Sequence, residues 1–409
     1  MSEGRWPLPT SWKWKKAGEI AQIVGGGTPT ANDASNFDDS GIPWITPADL
    51  TGYREAYIGS GRRGLSKQGL AASGARVMPA GTVLFSSRAP IGYCAIADNP
   101  ISTNQGFKSL VLRKELVPEF VRYYLLASKE YAEGLASGTT FRELSGSRFA
   151  ELLVPVPPLA EQRRIVARLD ALLGRLRRAR EELARVSGLV ERQRQATVNS
   201  AFFPSSESHQ IRFSKLSHVI TSIRTGPFGS SLHKSDYIEG GIPVINPMHI
   251  NNGRIMPTST MAISEKKARE LSEFKLKTGE IIIARRGAMG RCAVVQEQHQ
   301  GWLCGTGSMV ITPRSEINPA YLQFFLSSPT VVQVLEEAAV GSTMINLNQP
   351  ILLNLDIRLA TPDEQKDIVR RIEAAFARIE RAGAEAMRAA ALVERLEQAT
   401  LARAFRGAL

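Results

Sequence analysis

The chain states one plan twice. Gly41-Ile42-Pro43 returns as Gly241-Ile242-Pro243, and the stretch from Arg88 through Gly92 to Cys94 returns from Arg286 through Gly290 to Cys292. Glu161-Gln162, followed by Ile165-Val166, returns as Glu364-Gln365, followed by Ile368-Val369, and Gln195-Ala196-Thr197 returns as Gln398-Ala399-Thr400. The offsets are 200, 198 and 203 residues, a drift of the size that surface-loop insertions and deletions produce. A period this long excludes a solenoid, whose repeats run roughly 20 to 50 residues. The 409 residues therefore hold two copies of one unit, each long enough to bury its own core.

Each copy has two textures. The first part of each is broken by Gly, Pro, Asn and Asp around short apolar runs such as Ile42–Ile45, Thr82–Phe85 and Ser109–Leu112, the mark of strands between turns. Pro79–Thr82 and Lys277–Glu280 read as matching turns that enter a strand. A helix is expected from Pro118 to about Ala136 and from Pro319 to about Glu337, each opened by a proline. After Pro158 the pattern changes. Ile165, Leu169, Leu172, Leu176, Ala179, Leu183, Val186 and Val190 follow a 4-3-4-3 spacing, the stripe of a coiled coil. The same register, 203 residues on, gives Ile368, Ile372, Ala375, Ile379, Ala382, Ala386, Ala389 and Val393, and we extend that stripe to Leu396. Either helix of about 40 residues is roughly 60 Å long. The segments expected are a globular part at 1–157, a long helix at 158–203, a second globular part at 204–360 and a second long helix at 361–409.

A lone amphipathic helix of this length needs a partner for its stripe. The other copy supplies one if a pseudo-twofold axis relates the halves, in which case the two helices run antiparallel. Association of two chains through the same stripe is the competing account. The fold class is α+β: two mixed α/β domains and two long antiparallel coiled-coil helices in a pseudo-twofold tandem duplication.

The formal net charge of +12 with 22% charged residues is a bias of sign that favours a polyanionic partner, although a merely soluble basic protein has the same charge. Three cysteines argue against a disulfide scaffold. Cys94 and Cys292 share a repeat position and read as packed strand residues, and the five histidines show no zinc spacing. The residues after Met1 lack the apolar stretch of a signal peptide, and no apolar run approaches the ~20 residues that span a bilayer. No membrane is expected as a partner, no metal site is expected, and the cytoplasm is the expected location.

No catalytic motif is found. Gly25–Pro29 lacks the Gly-Lys-Ser/Thr ending of a phosphate loop, and neither a dinucleotide fingerprint nor a nucleophile elbow occurs. Asn246-Pro247 is followed by Met248-His249, which does not continue as the loop of an adenine methyltransferase. What recurs is a set of basic, amide and hydroxyl residues on loops beside strands. Arg88 and its counterparts Arg285 and Arg286 follow apolar runs, where an arginine can take guanine O6 and N7 or clamp a phosphate. Gly27 and Thr28, with Ser230 in the second copy, sit in small-residue loops open to a phosphate or to a plain turn. Asn104, Gln105 and Lys108 match the loop at Thr306. Thr46, Asp49 and Tyr93 become Asn246, His249 and Arg291, and such differences suit base readers if each copy reads its own short sequence. Drift in a functionless loop gives the same pattern.

The order of these motifs, their duplication and Pro157–Val166 opening a long helix resemble the specificity subunit of type I restriction-modification systems. The resemblance covers almost the whole chain. It implies two target recognition domains, each gripping one half of a split double-stranded DNA site. It also implies long helices that act as a ruler and carry the docking surface for two methyltransferase subunits, to which the stripe residues Ile165, Leu169, Leu172, Leu176, Leu183, Val186, Val190, Ile368, Ile372, Ile379, Val393 and Leu396 are assigned together with the seam. S-adenosylmethionine, ATP and Mg are expected on the methyltransferase and restriction subunits, with none on this chain, which has no catalytic residue of its own. Thr361-Pro362-Asp363 departs from the first copy's Pro158-Leu159-Ala160 but still suits a helix start. Two other readings are a basic scaffold that binds nucleic acid without sequence preference and a DNA-modifying enzyme with an unrecognised site.

Overall fold

A computed structural model describes residues 5–138, 142–204, 212–227, 231–339 and 346–409. The chain divides into two compact units, Met1–Ala184 with Arg388–Leu409, and Arg185–Met387. The long helices are Leu159–Phe202 and Pro362–Ala404, so each unit contains the start of one and the end of the other.

In unit 1 a five-stranded sheet runs in the order Ala21–Gly25, Lys108–Leu112, Val83–Ser87, Ile91–Ala97, Tyr57–Ile58. Its first four strands are antiparallel and the last is parallel to its neighbour. Phe37–Ile45 leads a smaller sheet with Arg63–Leu65 and, in parallel, Ser102–Thr103. Lys13–Lys16 pairs with Leu153–Val156 just before the long helix. Unit 2 has the same plan. Its main sheet is Ile220–Thr225, Ser308–Pro313, Ile281–Ala284, Cys292–Val294, Ile242–Ile245 pairs in parallel with Leu303–Cys304, and Phe213–Lys215 pairs with Asp356–Arg358.

The central strand of each main sheet reads as an unbroken apolar run because both of its faces are covered. Val83 and Phe85 join the core on the helix side and Leu84 the core on the other; Ile281 and Ile283 divide from Ile282 in the same way. That is the two-residue period of a strand. The turns before these strands carry Gly81 and Gly279 at φ of 82° and 86°, a backbone region that disfavours a side chain.

The expected helices after Pro118 and Pro319 are each two helices, Pro118–Ala127 with Lys129–Leu135 and Pro319–Leu326 with Pro329–Ala338. In unit 2 Pro329 has no N–H to continue the ladder. In unit 1 the break comes at buried Ser128 without a proline, with φ −108° and ψ 19°.

A buried glutamine latches each long helix to its unit. Gln162 Oε1 accepts the Val117 N–H at 2.9 Å, and its Nε2 donates to the carbonyls of Glu115 and Pro157. Gln365 does the same with Asn318, Glu316 and Ala360. The far ends are held by aromatics. Phe405 meets Phe120 and Tyr124 edge-on at 5.3 and 5.2 Å in unit 1, and Phe202 meets Tyr321 and Phe325 at 5.2 and 5.4 Å in unit 2.

Within each unit the two helical segments run in opposite directions. In unit 1 Arg164 donates to Leu409 O, and Arg180 pairs with Glu397 at 3.2 Å. In unit 2 Arg194 pairs with Glu380 at 2.9 Å, and a Cβ at Gly383 would meet Val190 at 3.4 Å. Leu172, Leu176, Leu183, Val186, Val190, Ile379 and Val393 are half-buried. The stripe needs three corrections. Ile165 and Leu169 are buried in the globular core of unit 1, and Ile368 and Ile372 in that of unit 2, because the first turns of both helices belong to those cores. Ala382 is exposed. Leu396 is 53% exposed, because after Val393 the inner face steps by four to Glu397, as the 3.6-residue turn drifts from a strict heptad.

Candidate nucleic-acid interface

The loops singled out in the sequence converge in each unit. In unit 1 the Asn104 N–H donates to Ile45 O at 2.9 Å, the Gly27 N–H to Thr103 O at 3.0 Å, the Ser87 N–H to Gly106 O at 2.7 Å and the Leu144 N–H to Ser87 O at 2.9 Å. These bonds lace the glycine-rich loop, the Thr46–Asp49 turn, the Asn104–Phe107 turn and the Arg88 segment into one surface. Unit 2 repeats three of these bonds, Gly305 to Ile245 O, Arg285 to Gly307 O and Leu347 to Arg285 O, at 2.9, 2.9 and 2.8 Å, and ties its glycine-rich loop by a different one, Gly226 to Ser308 O at 3.1 Å.

Several candidates turn out to build this surface. A Cβ at Gly26 would lie 1.9 Å from Asn104 O, and one at Gly226 2.0 Å from Gly305 O, so glycine is required where the chains cross. Gly27 is buried, its N–H is taken by Thr103, and its carbonyl accepts Trp44 Nε1 at 3.1 Å. Its glycine thus answers to packing, which corrects the reading of that N–H as a phosphate donor. Asn104 Oδ1 accepts the Gly106 N–H at 2.9 Å and closes its own turn.

The pair that differs between copies has a structural explanation too. Asp49 accepts the Thr46 N–H at 2.8 Å and the Thr46 hydroxyl at 2.6 Å, and it pairs with Arg62. Burial raises the pKa of Asp49, but the bonds from Thr46 and Arg62 outweigh it and hold the carboxyl below the usual aspartate value. His249 is buried; its Nδ1 accepts the Asn246 N–H at 3.1 Å and its Nε2 lies 3.2 Å from Thr258 Oγ1. Burial holds its pKa below the ordinary histidine value. The change from Asp49 to His249 therefore exchanges one turn-capping acceptor for another, which corrects the expectation that these residues face a base.

Other candidates remain presented. Thr28, Gln105, Arg286 and Arg291 are exposed, and Tyr93, Thr306 and Asn246 are half-buried. Ser230 lies outside the described residues. Arg88 pairs with Glu143 at 3.2 Å, and Lys108 reaches the same carboxylate at 3.6 Å. Arg285 Nε donates to Asn346 Oδ1 at 3.2 Å. Burial and then the neighbouring Arg286 charge lower the pKa of Arg285.

Glu143, Asn346 and Arg62 were not singled out in the sequence. The signal for the first two was present: Glu143-Leu144-Ser145 and Asn346-Leu347-Asn348 both precede a short helix that Ser145 or Asn348 caps through its side chain. Among the described residues no group of three or more His, Cys, Asp or Glu side chains is placed to hold a metal ion, and no helix is long and apolar enough to cross a membrane.

Comparison with known proteins bears on this surface. The model of the type I restriction modification DNA specificity domain matches twice, at residues 9–185 and 212–385. The type I restriction enzyme MjaIX specificity subunit of Methanocaldococcus jannaschii is 38% identical over 186 residues, 44% of this chain and 43% of the relative. The EcoBI specificity subunit of Escherichia coli is 27% identical over 315 residues, 70% of this chain and 65% of the relative. The chain thus spans less than two thirds of the length of these two relatives. A chain solved in work on complex assembly and conformational transition of the type I R-M system shares the fold, with a TM-score of 0.73 at 22% identity over 99% of this chain and 100% of that one.

Proposed function

The chain belongs to the family of type I restriction modification DNA specificity domains, and from that premise we propose that it reads a bipartite duplex site, one half per unit, and directs partner subunits to it. The observation that carries this reading is the duplicated surface: the corresponding loops meet in both units and three of the four backbone bonds that lace them are the same, while the side chains at Tyr93 and Arg291, or Gln105 and Thr306, differ. A shared frame with different outward residues suits two grips with two addresses.

Arg286 and Arg291 suit base edges or phosphates. A bidentate arginine contact to guanine discriminates by ~1 to 3 kcal/mol. A half-site of a few base pairs is weakly specific alone, and joining two makes the second engagement intramolecular. In this reading the long helices set the spacing between the half-sites and dock two methyltransferase subunits. Those partners carry S-adenosylmethionine, the restriction subunits carry ATP and Mg, and this chain contributes no catalytic group. The work is that of a cytoplasmic DNA-bound complex.

Selection of bound duplexes from a random pool, with and without a methyltransferase partner, tests the reading. Two short conserved blocks separated by a fixed unspecified gap support it. Sequence-blind retention supports a basic scaffold, and methylation by this chain alone supports an enzyme.

A further inference from the structure

We propose that Glu143 holds, in the DNA-free chain, the place that a phosphate takes on binding, so that the two units grip their half-sites with unequal charge. The inference rests on the DNA-reading function proposed above. In unit 1 the carboxylate of Glu143 bridges Arg88 and Lys108 at 3.2 and 3.6 Å. Its side chain is 40% exposed and that of Arg88 36%, so solvent and ligand reach the pair. A cavity of about 620 Å³ opens beside them, lined by Arg88, Pro90, Glu133 and Arg142 among others, with room for a phosphodiester.

Unit 2 has the same frame with the charge removed. The Leu144 N–H donates to Ser87 O and the Leu347 N–H to Arg285 O, which sets Asn346 at the position of Glu143 and Arg286 at that of Arg88. Lys108 pairs across the sheet with Gly25, and Met309 pairs with Thr225, so the lysine has no counterpart there. Unit 1 thus presents two cations and a carboxylate, and unit 2 presents two adjacent arginines facing an amide. Among the described residues no carboxylate is paired with Arg285 or Arg286.

A carboxylate and a phosphodiester offer an arginine fork the same geometry and one negative charge. An exposed ion pair contributes little in water, so exchanging Glu143 for a phosphate costs little. It does alter the counter-ion balance. Each phosphate neutralised by a free cation releases nearly one bound cation from DNA, and this release sets the salt slope of binding. Where Glu143 stays beside the bound phosphate its charge offsets one of the two cations, so the contact adds about one less to the slope than Arg88 and Lys108 would alone.

The test measures binding of the full chain to a random-sequence duplex across a salt series, for the wild type, Glu143→Gln and Asn346→Glu, with thermal unfolding of each variant as the control for folding. Glu143→Gln is expected to bind roughly two- to five-fold more tightly at about 0.1 M salt, with a slope steeper by about one. Asn346→Glu is expected to move both quantities the other way. An unchanged slope in both variants, or weaker binding by a folded Glu143→Gln, overturns this inference and leaves the DNA-reading function intact. No salt-dependent duplex binding by the wild type overturns both.

Discussion

Asp49 and His249 accept the same hydrogen bond. Each takes the backbone N–H three residues before it, from Thr46 at 2.8 Å and from Asn246 at 3.1 Å, and each closes a 3₁₀ turn beside the convergent loops. The acceptors titrate in different pH ranges. A neutral imidazole keeps one acceptor nitrogen, whereas a protonated one has only donors.

Acid should therefore loosen one unit first. Burial lowers the pKa of His249, and of His299, whose Nδ1 accepts the Gln296 N–H at 3.1 Å. The unfolded chain takes up protons below pH ~6.5 while these folded sites resist, so unit 2 loses stability as pH falls through that range. The contribution of Asp49, whose folded pKa is lowered, persists until pH falls below the usual aspartate value of ~3.9. Amide exchange at residues 246–249 should accelerate between pH about 7 and 5, after correction for intrinsic rates, while residues 46–49 stay protected. His249→Asp should remove most of that difference.

The glutamine latches give a second prediction. Gln162→Ala leaves the Val117 N–H and the Glu115 and Pro157 carbonyls without their partner, and a buried unsatisfied group costs about 1 to 3 kcal/mol. Denaturant unfolding should show a loss of about 2 to 4 kcal/mol in unit 1 for this variant and in unit 2 for Gln365→Ala. A loss below about 0.5 kcal/mol in both would mean that the latches do not hold the helices.

The aromatic plugs give a third. Phe405→Ala removes a fully buried ring from among Phe120 and Tyr124, and such truncations cost about 3 to 5 kcal/mol. Thermal unfolding should show unit 1 melting first in this variant and unit 2 melting first in Phe202→Ala.

Arg291 is exposed at the position where Tyr93 is half-buried against its core, and it separates base reading from phosphate gripping. Arg291→Ala should relax the selected consensus at one position of a single half-site and leave the other half-site unchanged. Uniformly weaker binding of all sequences, with a salt slope lower by about one, would assign Arg291 to a phosphate instead.

The parts of this fold legible in the sequence are those governed by a local period or by the repeat. Val83–Phe85 and Ile281–Ile283 read as strands because both faces are buried, and the heptad register holds to Val393 apart from the exposed Ala382. The register fails at Leu396 because a turn of 3.6 residues leaves the seam there, and the helix break at Ser128 is not legible because a break without proline has no local signal. In the candidate surface, duplication picked out loops that backbone bonds draw together. It could not separate residues that present the surface from those that build it, since Asp49 and His249 differ in type while capping the same turn, and Glu143 acts through a bridge to Arg88 55 positions away.

The central claim is that two matched units read two half-sites at a spacing set by the helices. It is tested most directly by mapping methylation on DNA exposed to the assembled complex, for the wild type and for a variant lacking one heptad from each long helix. Seven residues shorten a helix by about 10 Å, close to three base pairs of B-DNA. The account predicts the same two half-sites in both proteins, with the gap shorter by about three base pairs in the variant. An unchanged gap, or a single uninterrupted site, would contradict it.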